Sequence, residues 1–518
     1  MTLTEEIAIA DGQGRRADWR GWAALGVLML PVLLVSVDNT VLSFALPEIA
    51  RALSPSSAQQ LWIIDVYPLV LAGLLVTMGS LGDRFGRRRL LLIGATGFAT
   101  VSALAAFAAF APSAEWLIAA RASMGVFGAM LMPSTLSLLR SIFTDRDQRR
   151  LAIAVWASMF SAGAALGPIV GGLLLEHFSW GSVFLMAVPV LVPLLLLAPF
   201  LVPESRDPHP GRIDPISIAL SMLTMVPIVY AIKEFAVKGW GVLPPVLVAI
   251  GVVFGWLFVR RQLRLSSPML DMRLFTRGTF SGALLVNLLS VVALVGFLYF
   301  VTQHLQLIVG LSPLQAGLAL VPGLAMMIIS GLGVVPISRR VSPRIVIPAA
   351  LVLSTAGYIV IATATDPDSM IELVLAFALL GMGIGAAETV SNELVLASAP
   401  PAKAGAASAV SETAYELGAV LGTAVLGGIL TAMYRFGMVV PAGVPAEAAD
   451  AARETLAGAV NVAQDLPAPL GAELLDAAAH AFDAGVAVTA TIGAVLVVLA
   501  GVIAATTLKG SHSRRADH

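Results

Sequence analysis

The chain has 518 residues, 58% of them hydrophobic and 12% charged, with a formal net charge of −1 and no cysteine. A soluble globular protein carries about 25% charged residues, so a soluble multidomain chain is excluded. So are disulfides, thiolate metal sites and cysteine nucleophiles, and the six histidines include no helical i, i+3 or i+4 pair, which argues against a haem or metal centre.

The first 22 residues carry acids and lack a small-residue cleavage pattern, and read as a cytoplasmic tail rather than a signal peptide. Fourteen apolar runs follow, at 23–49, 60–81, 89–110, 116–138, 150–175, 180–202, 214–235, 241–259, 279–302, 313–337, 344–363, 370–396, 404–431 and 482–507. Each is long enough to cross about 30 Å of hydrocarbon as a helix. The predicted fold class is therefore an all-α polytopic membrane protein.

The first run holds "PVLLVSVDNTVLSFALP", with Asp38 in its middle. A charge at mid-membrane costs about 2.5–3.5 kcal/mol on insertion scales, so such residues usually face a cavity and work. Burial favours the neutral form of an acid, which suits a proton carrier. The competing reading is a carboxyl hydrogen-bonded to a neighbouring helix. In the second run, Trp62 and Asp65 are three apart and share a helix face. An acid beside an aromatic plane suits an organic cation, or else is a wet residue near the outer surface.

"GSLGDRFGRRR" joins runs 2 and 3. Gly79 lets helices approach, and Gly86 allows a tight turn. Asp83 with Arg84, Arg87 and Arg88 can form a charge network that gates the inner surface. "RASMGVFGAMLMP" in run 4 begins at Arg121, a deep cation. "GAALGPIVGG" in run 5 spaces Gly163, Gly167 and Gly171 four apart, with Gly172 beside them, so one helix face is bare of side chains. Pro168 removes a helix hydrogen bond there and allows a bend.

Run 12 carries Glu388 and Glu393, five apart and about 140° round the helix, so both are not expected to face one cavity squarely; Glu388 is placed in the pathway and Glu393 near the inner end. In run 13, Glu412 and Glu416 share a face, with Tyr415 beside the second. Two close carboxylates do not both ionise cheaply. Aromatics at candidate cavity positions are Phe44, Tyr67, Phe160, Phe297 and Phe300. The long segment 432–481 reads either as short amphipathic helices on the outer surface or as a solvated linker.

Lys and Arg orient the chain. With the N-terminus inside, cytoplasmic segments hold 25 of them and the opposite side four, while Arg121 and Lys233 lie within runs. A plasma-membrane location with both termini cytoplasmic is expected. No G-x-x-x-x-G-K-[ST] loop is present, which rules out a self-contained ATP-driven pump. Filter and pore repeats are missing too, as are the clustered His or acid groups of a membrane enzyme. A secondary transporter remains.

The inner-loop, run-4 and run-5 patterns resemble the antiporter motifs of the major facilitator superfamily. "DNTVLSFALPEIA" resembles the signature of its fourteen-span drug:proton antiporter branch. "LWIIDVYPLVLAG" and "SAVSETAYELGAVLG" are similar to its exporters of quaternary ammonium compounds and dyes. The resemblance covers nearly the whole chain. It implies two six-helix bundles, 23–202 and 279–507, joined by two extra central helices within 203–278, with a short tail at 508–518.

The resemblance also implies efflux of lipophilic cations coupled to proton entry. Asp38, Glu416 and Arg121 would couple protons, and Asp65, Trp62, Glu388, Glu412, Tyr415, Phe44 and Tyr67 would meet substrate. Cationic small molecules, protons and membrane lipids are the expected partners of a monomer, with no cofactor, metal or nucleic acid. Export of an endogenous lipid or metabolite, or a sensor or scaffold built on a transporter fold, are the alternatives.

Overall fold

A computed structural model of the chain describes residues 16–107, 113–206, 214–239, 241–265, 268, 270, 272–338, 340–363, 370–398 and 404–508. The tails expected at 1–22 and 508–518 fall largely outside this set. The described secondary structure is helical. The membrane-length elements are α1 Trp19–Leu53, α2 Ser57–Phe85, α3 Arg87–Ala106, α4 Ala114–Ile142, α5 Arg146–His177 and α6 Ser182–Leu201. They continue with α7 Pro215–Lys238, α8 Leu243–Arg264, α9 Gly278–Gln303, α10 Pro313–Ser338, α11 Pro343–Ala362 and α12 Met370–Ser398. Helix α13 joins Ala404–Leu421, a π-helical stretch Gly422–Gly427 and Gly428–Gly437, and α14 is Ala468–Thr507.

Among the described residues, thirteen helices are long and apolar enough to cross a membrane. The fifth expected crossing, α5, is 32 residues long, with Leu166–His177 as its described apolar stretch. Counted by length and position, it completes the fourteen crossings expected.

Polar side chains set the helix starts. Asp18 accepts from the Arg20 and Gly21 amides at the head of α1, and Ser56 with Gln59 forms a reciprocal capping box on α2. Asp214 precedes Pro215 at the start of α7, where a missing N–H costs nothing. Gly86 separates α2 from α3 at φ 112°, a backbone region that favours glycine.

The helices form two bundles with matching internal packing. In the first, α2 and α3 pack on α4, α1 on α5 and α6, and α3 on α6; in the second, α10 and α11 pack on α12, α9 on α13 and α14, and α11 on α14. Each bundle has its own apolar core. The seam between them is made chiefly by α2 with α13 and by α5 with α10. The extra pair α7–α8 packs on itself, and α7 leans on α2 and α13. A small cluster of Leu69, Val229, Val420 and Ala424 marks where those three meet. At the face bearing the termini, Arg261 of α8 donates to both Asp214 oxygens, at 2.7 and 2.8 Å.

Segment 432–481 contains helices Ala446–Glu454 and Leu456–Gln464, and its last part belongs to α14. At 40 residues, α14 is about 60 Å long, so its first turns project well beyond the hydrocarbon. The short helices reach across the seam. Glu454 accepts from the Ser57 hydroxyl at 2.6 Å and its amide at 3.1 Å, and Asn461 donates to the Arg51 carbonyl at 3.2 Å. Gln306 adds a bond to the Phe44 carbonyl at 3.1 Å. The two bundles are thus tied together at the face opposite the termini.

Candidate functional site

A cavity of about 370 Å³ lies between the bundles, in the half nearer the termini. Its mouth is lined by the exposed Asn392, Glu393 and Leu396, close to the end of α12. Four helices supply its polar wall, Asn287 coming from α9. Glu388, Asn392 and Glu393 come from α12, Ser411, Glu412, Tyr415 and Glu416 from α13, and Arg140 from α4. Leu71, Leu75, Met132, Leu136, Ile153 and Trp156 form the apolar wall. Four carboxylates thus face one cation across a largely apolar chamber.

The acids differ in their surroundings. Asn39 of α1 donates to Glu416 Oε1 at 3.3 Å, a bond that crosses from one bundle to the other. Glu416 Oε2 and Glu388 Oε1 have no hydrogen-bond partner among the described residues. Arg140 is near enough to act on the charge of Glu412. Asn392 accepts from Ser411 at 2.8 Å, which fixes α12 against α13 beside the acids. Glu388 and Glu393 both line the cavity, Glu388 further in and the exposed Glu393 at its mouth.

Asp38 is buried beside the cavity rather than on its wall. Its partner is Arg121, whose Nη1 lies 2.6 Å from Asp38 Oδ2. Arg121 also stands over the Tyr67 ring at 4.4 Å and donates to the Ile63 carbonyl at 3.4 Å. Asp38 therefore reaches Glu416 through its neighbour Asn39. Phe44 is buried in the second bundle's core cluster. Phe297 stacks on Phe377 at 5.0 Å and meets Phe300 edge-on at 4.9 Å. The side chain of Phe160 lies outside the described residues.

Asp65 and Trp62 share a face as expected, but away from the cavity and around a cation of the chain itself. Lys233 of α7 lies 2.9 Å from Asp65 and 3.9 Å from the Trp62 ring. Arg121 is thus one of two deep cations. In the sequence Lys233 stands as a cation within an apolar run, a signal there of a partner for a deep acid.

At the terminal face, Asp83 accepts from Arg87 at 2.8 Å, and Arg87 donates to Ser205 at 3.3 Å. Glu204 accepts the amides of Arg88 and Arg89 at 3.0 and 3.3 Å, capping α3. Arg84 stands over Phe85 at 6.0 Å, and Gly79 approaches Pro133 of α4. These contacts close within the first bundle, at the end where the cavity opens.

The bare face of α5 lies against α1. A Cβ on Gly163 would meet Ser36 and the Leu33 carbonyl at 2.7 and 2.9 Å; one on Gly167 would meet Thr40, and one on Gly171 would meet Val41. On its other side, α5 touches α10: a Cβ on Gly172 would lie 2.6 Å from the Leu314 backbone, and one on Gly317 2.5 Å from the Pro168 carbonyl.

Sequence reasoning missed three features of the cavity. Arg140 was counted among surface positive charges, and Trp156 and Asn287 carry no signal that marks them. Among the described residues, no group of three or more His, Asp or Glu is arranged to hold a metal ion.

Residues 28–423 match the family model of the Major Facilitator Superfamily. The chain is 57% identical over 488 residues to the multidrug efflux pump LfrA of Mycolicibacterium smegmatis, covering 94% of this chain and 96% of that protein. It is 37% identical over 472 residues to the methyl viologen resistance protein SmvA of Salmonella typhimurium, covering 90% and 93%. Among solved structures, an inward-facing bacterial homologue of the lysosomal transporter Spinster shares the fold, with a TM-score of 0.65 at 17% identity over 94% of this chain and 98% of that one. In sequence and in its paired bundles, this chain belongs to the major facilitator superfamily of membrane transporters.

Proposed function

We propose that the protein is a proton-driven exporter of lipophilic organic cations, such as quaternary ammonium biocides and cationic dyes. One observation carries this reading: Glu388, Glu412 and Glu416 converge on one cavity with Tyr415 and Trp156. Carboxylates in a low-dielectric wall attract an organic cation, and aromatic faces add to that attraction. A proton and a cation then compete for the same oxygens. The name of its 57% identical relative, a multidrug efflux pump, supports export as the direction.

In this reading the terminal face is cytoplasmic. Substrate enters from the cytoplasm or inner leaflet and meets ionised glutamates. The bundles then rock about the seam, the ties at Glu454 and Gln306 part, and the cavity faces outward. Protons taken up there neutralise Glu416 and release the cation. On return, Glu416 passes its proton inward, with Asp38 and Arg121 linked to it through Asn39. The Asp83–Arg87 turn acts as the inner gate, locking the bundles when that end is shut.

The test is ethidium efflux from proteoliposomes carrying the purified chain and an imposed pH gradient. Transport should follow the gradient, stop when it collapses, and ignore ATP. Transport that follows ATP, or that persists unchanged without a gradient, would overturn the proposal.

A further inference from the structure

The Asp65–Lys233 pair takes no part in the cavity, yet it is more deeply buried than any cavity acid. Asp65 is 0% exposed and Lys233 2%. Lys233 Nζ lies 2.9 Å from Asp65 Oδ2, donates to the Leu61 carbonyl at 2.9 Å, and stands 3.9 Å above the Trp62 ring. A primary ammonium has three N–H groups and no acceptor. Here a carboxylate, a carbonyl and an aromatic face surround it, which is how proteins hold ammonium ligands. We propose that Leu61, Trp62 and Asp65 form a binding site for a primary ammonium group. Lys233 of α7 is its built-in occupant, and fastens the α7–α8 pair to the first bundle.

The polar contacts of Lys233 all come from α2. At this depth α7 meets α13 through Val229, packed with Val420 and Ala424. Thr423 of α13 lies beside Asp65, and so touches the carboxylate rather than Lys233. A buried ion pair is costly to break, whereas apolar surfaces slide. When α2 and α13 part, α7 therefore goes with α2. Helix α8 follows α7, because Arg261 grips Asp214 at the other end. The extra pair is thus cargo of the first bundle rather than a bridge between the two. This holds whatever substrate the cavity takes.

The vacated site is the first test. Purified full-length Lys233→Ala should unfold several degrees below the parent chain. Millimolar n-propylammonium should restore much of that loss. The parent chain, and Lys233→Ala combined with Asp65→Asn, should gain nothing. Tetramethylammonium, which has no N–H, should not substitute. A monodisperse Lys233→Ala that propylammonium does not stabilise would overturn the proposal, as would Lys233→Met with parental stability. If Lys233→Ala does not fold, the melting temperatures of Lys233→Met and Lys233→Arg beside the parent decide instead, and parental stability in Lys233→Met would overturn the proposal.

The second test follows the motion. The chain has no cysteine, so spin labels can be placed without background. Val252 on α8, Ile93 on α3 and Val352 on α11 are all exposed. The Val252–Ile93 distance should stay constant as dye and pH gradient drive the cycle, while Val252–Val352 changes. In Lys233→Met the first distance should broaden. A constant Val252–Val352 distance with a changing Val252–Ile93 distance would show that α8 rides with the second bundle, and the proposal would fall. The second test rests on the proposed transport cycle, whereas the first reads stability alone and stands apart from the outcome of the efflux assay.

Discussion

Arg121 of α4 holds Asp38 of α1 at 2.6 Å, and both are buried. The mid-membrane acid is thus accommodated by a partner, whose own charge is spread over the Tyr67 ring and the Ile63 carbonyl. Breaking a buried pair from one side is costly, about 3–5 kcal/mol, because the other charge is left uncompensated. Asp38→Asn should therefore lose thermal stability and lose uphill ethidium efflux. A double variant, Asp38→Asn with Arg121→Met, should regain stability but not coupled transport. Uphill transport in the double variant would make the pair structural and leave coupling to Glu416.

Glu416 is the cavity acid bonded to the opposite bundle. Glu416→Gln keeps an oxygen for the Asn39 bond but cannot carry a proton. Its ethidium efflux against a concentration gradient should vanish, while exchange down the gradient persists. The two fluxes, measured in the same proteoliposomes, separate coupling from folding.

Asp83 lies at the terminal face and touches Arg87, not the cavity. Asp83→Asn should slow efflux while leaving dye affinity within about twofold, a difference of about 0.4 kcal/mol. Equilibrium dye binding to the solubilised variant beside its transport rate is the check. Loss of binding at a normal rate of cycling would remove Asp83 from the gate.

Glu454 gives the opposite face a pH response. Burial works to raise its pKa, but the Ser57 bonds and Arg435 outweigh it and hold the carboxyl below its ordinary value. A group depressed on folding contributes stability above its unfolded pKa, near 4.3 for Glu. It loses that contribution as pH falls through the folded value. The tie between the short helices and α2 should thus weaken in acid. Glu454→Gln should flatten the fall in melting temperature between about pH 5 and 3. An unchanged pH profile would mean the tie adds nothing to stability.

The crossings and the cavity acids were legible because both follow from local periodicity. Runs of about 20 apolar residues mark helices that span, and the four-residue step puts Glu412 and Glu416 on one face. The branch motifs added the two-bundle plan. The partners were not legible, because they come from helices far apart in sequence. Asp65 and Lys233 are 168 positions apart in the chain, and nothing near either one names the other. Arg140 shows a second limit. A charge counted as surface-facing by its place near a loop still reached the mouth of the cavity.

The bare face of α5 has an electrical consequence. Where Gly163, Gly167 and Gly171 press on α1, and Gly172 and Gly317 close α5 onto α10, the chains meet with no room for an added methyl group. A file of water molecules needs far more width than that, and without one no proton can hop along these contacts. Each proton that leaked across would dissipate about 2.3 kcal/mol per 100 mV of membrane potential. A pivot made of bare backbone can rock while staying insulating, so the cell's membrane need not discharge through it between cycles.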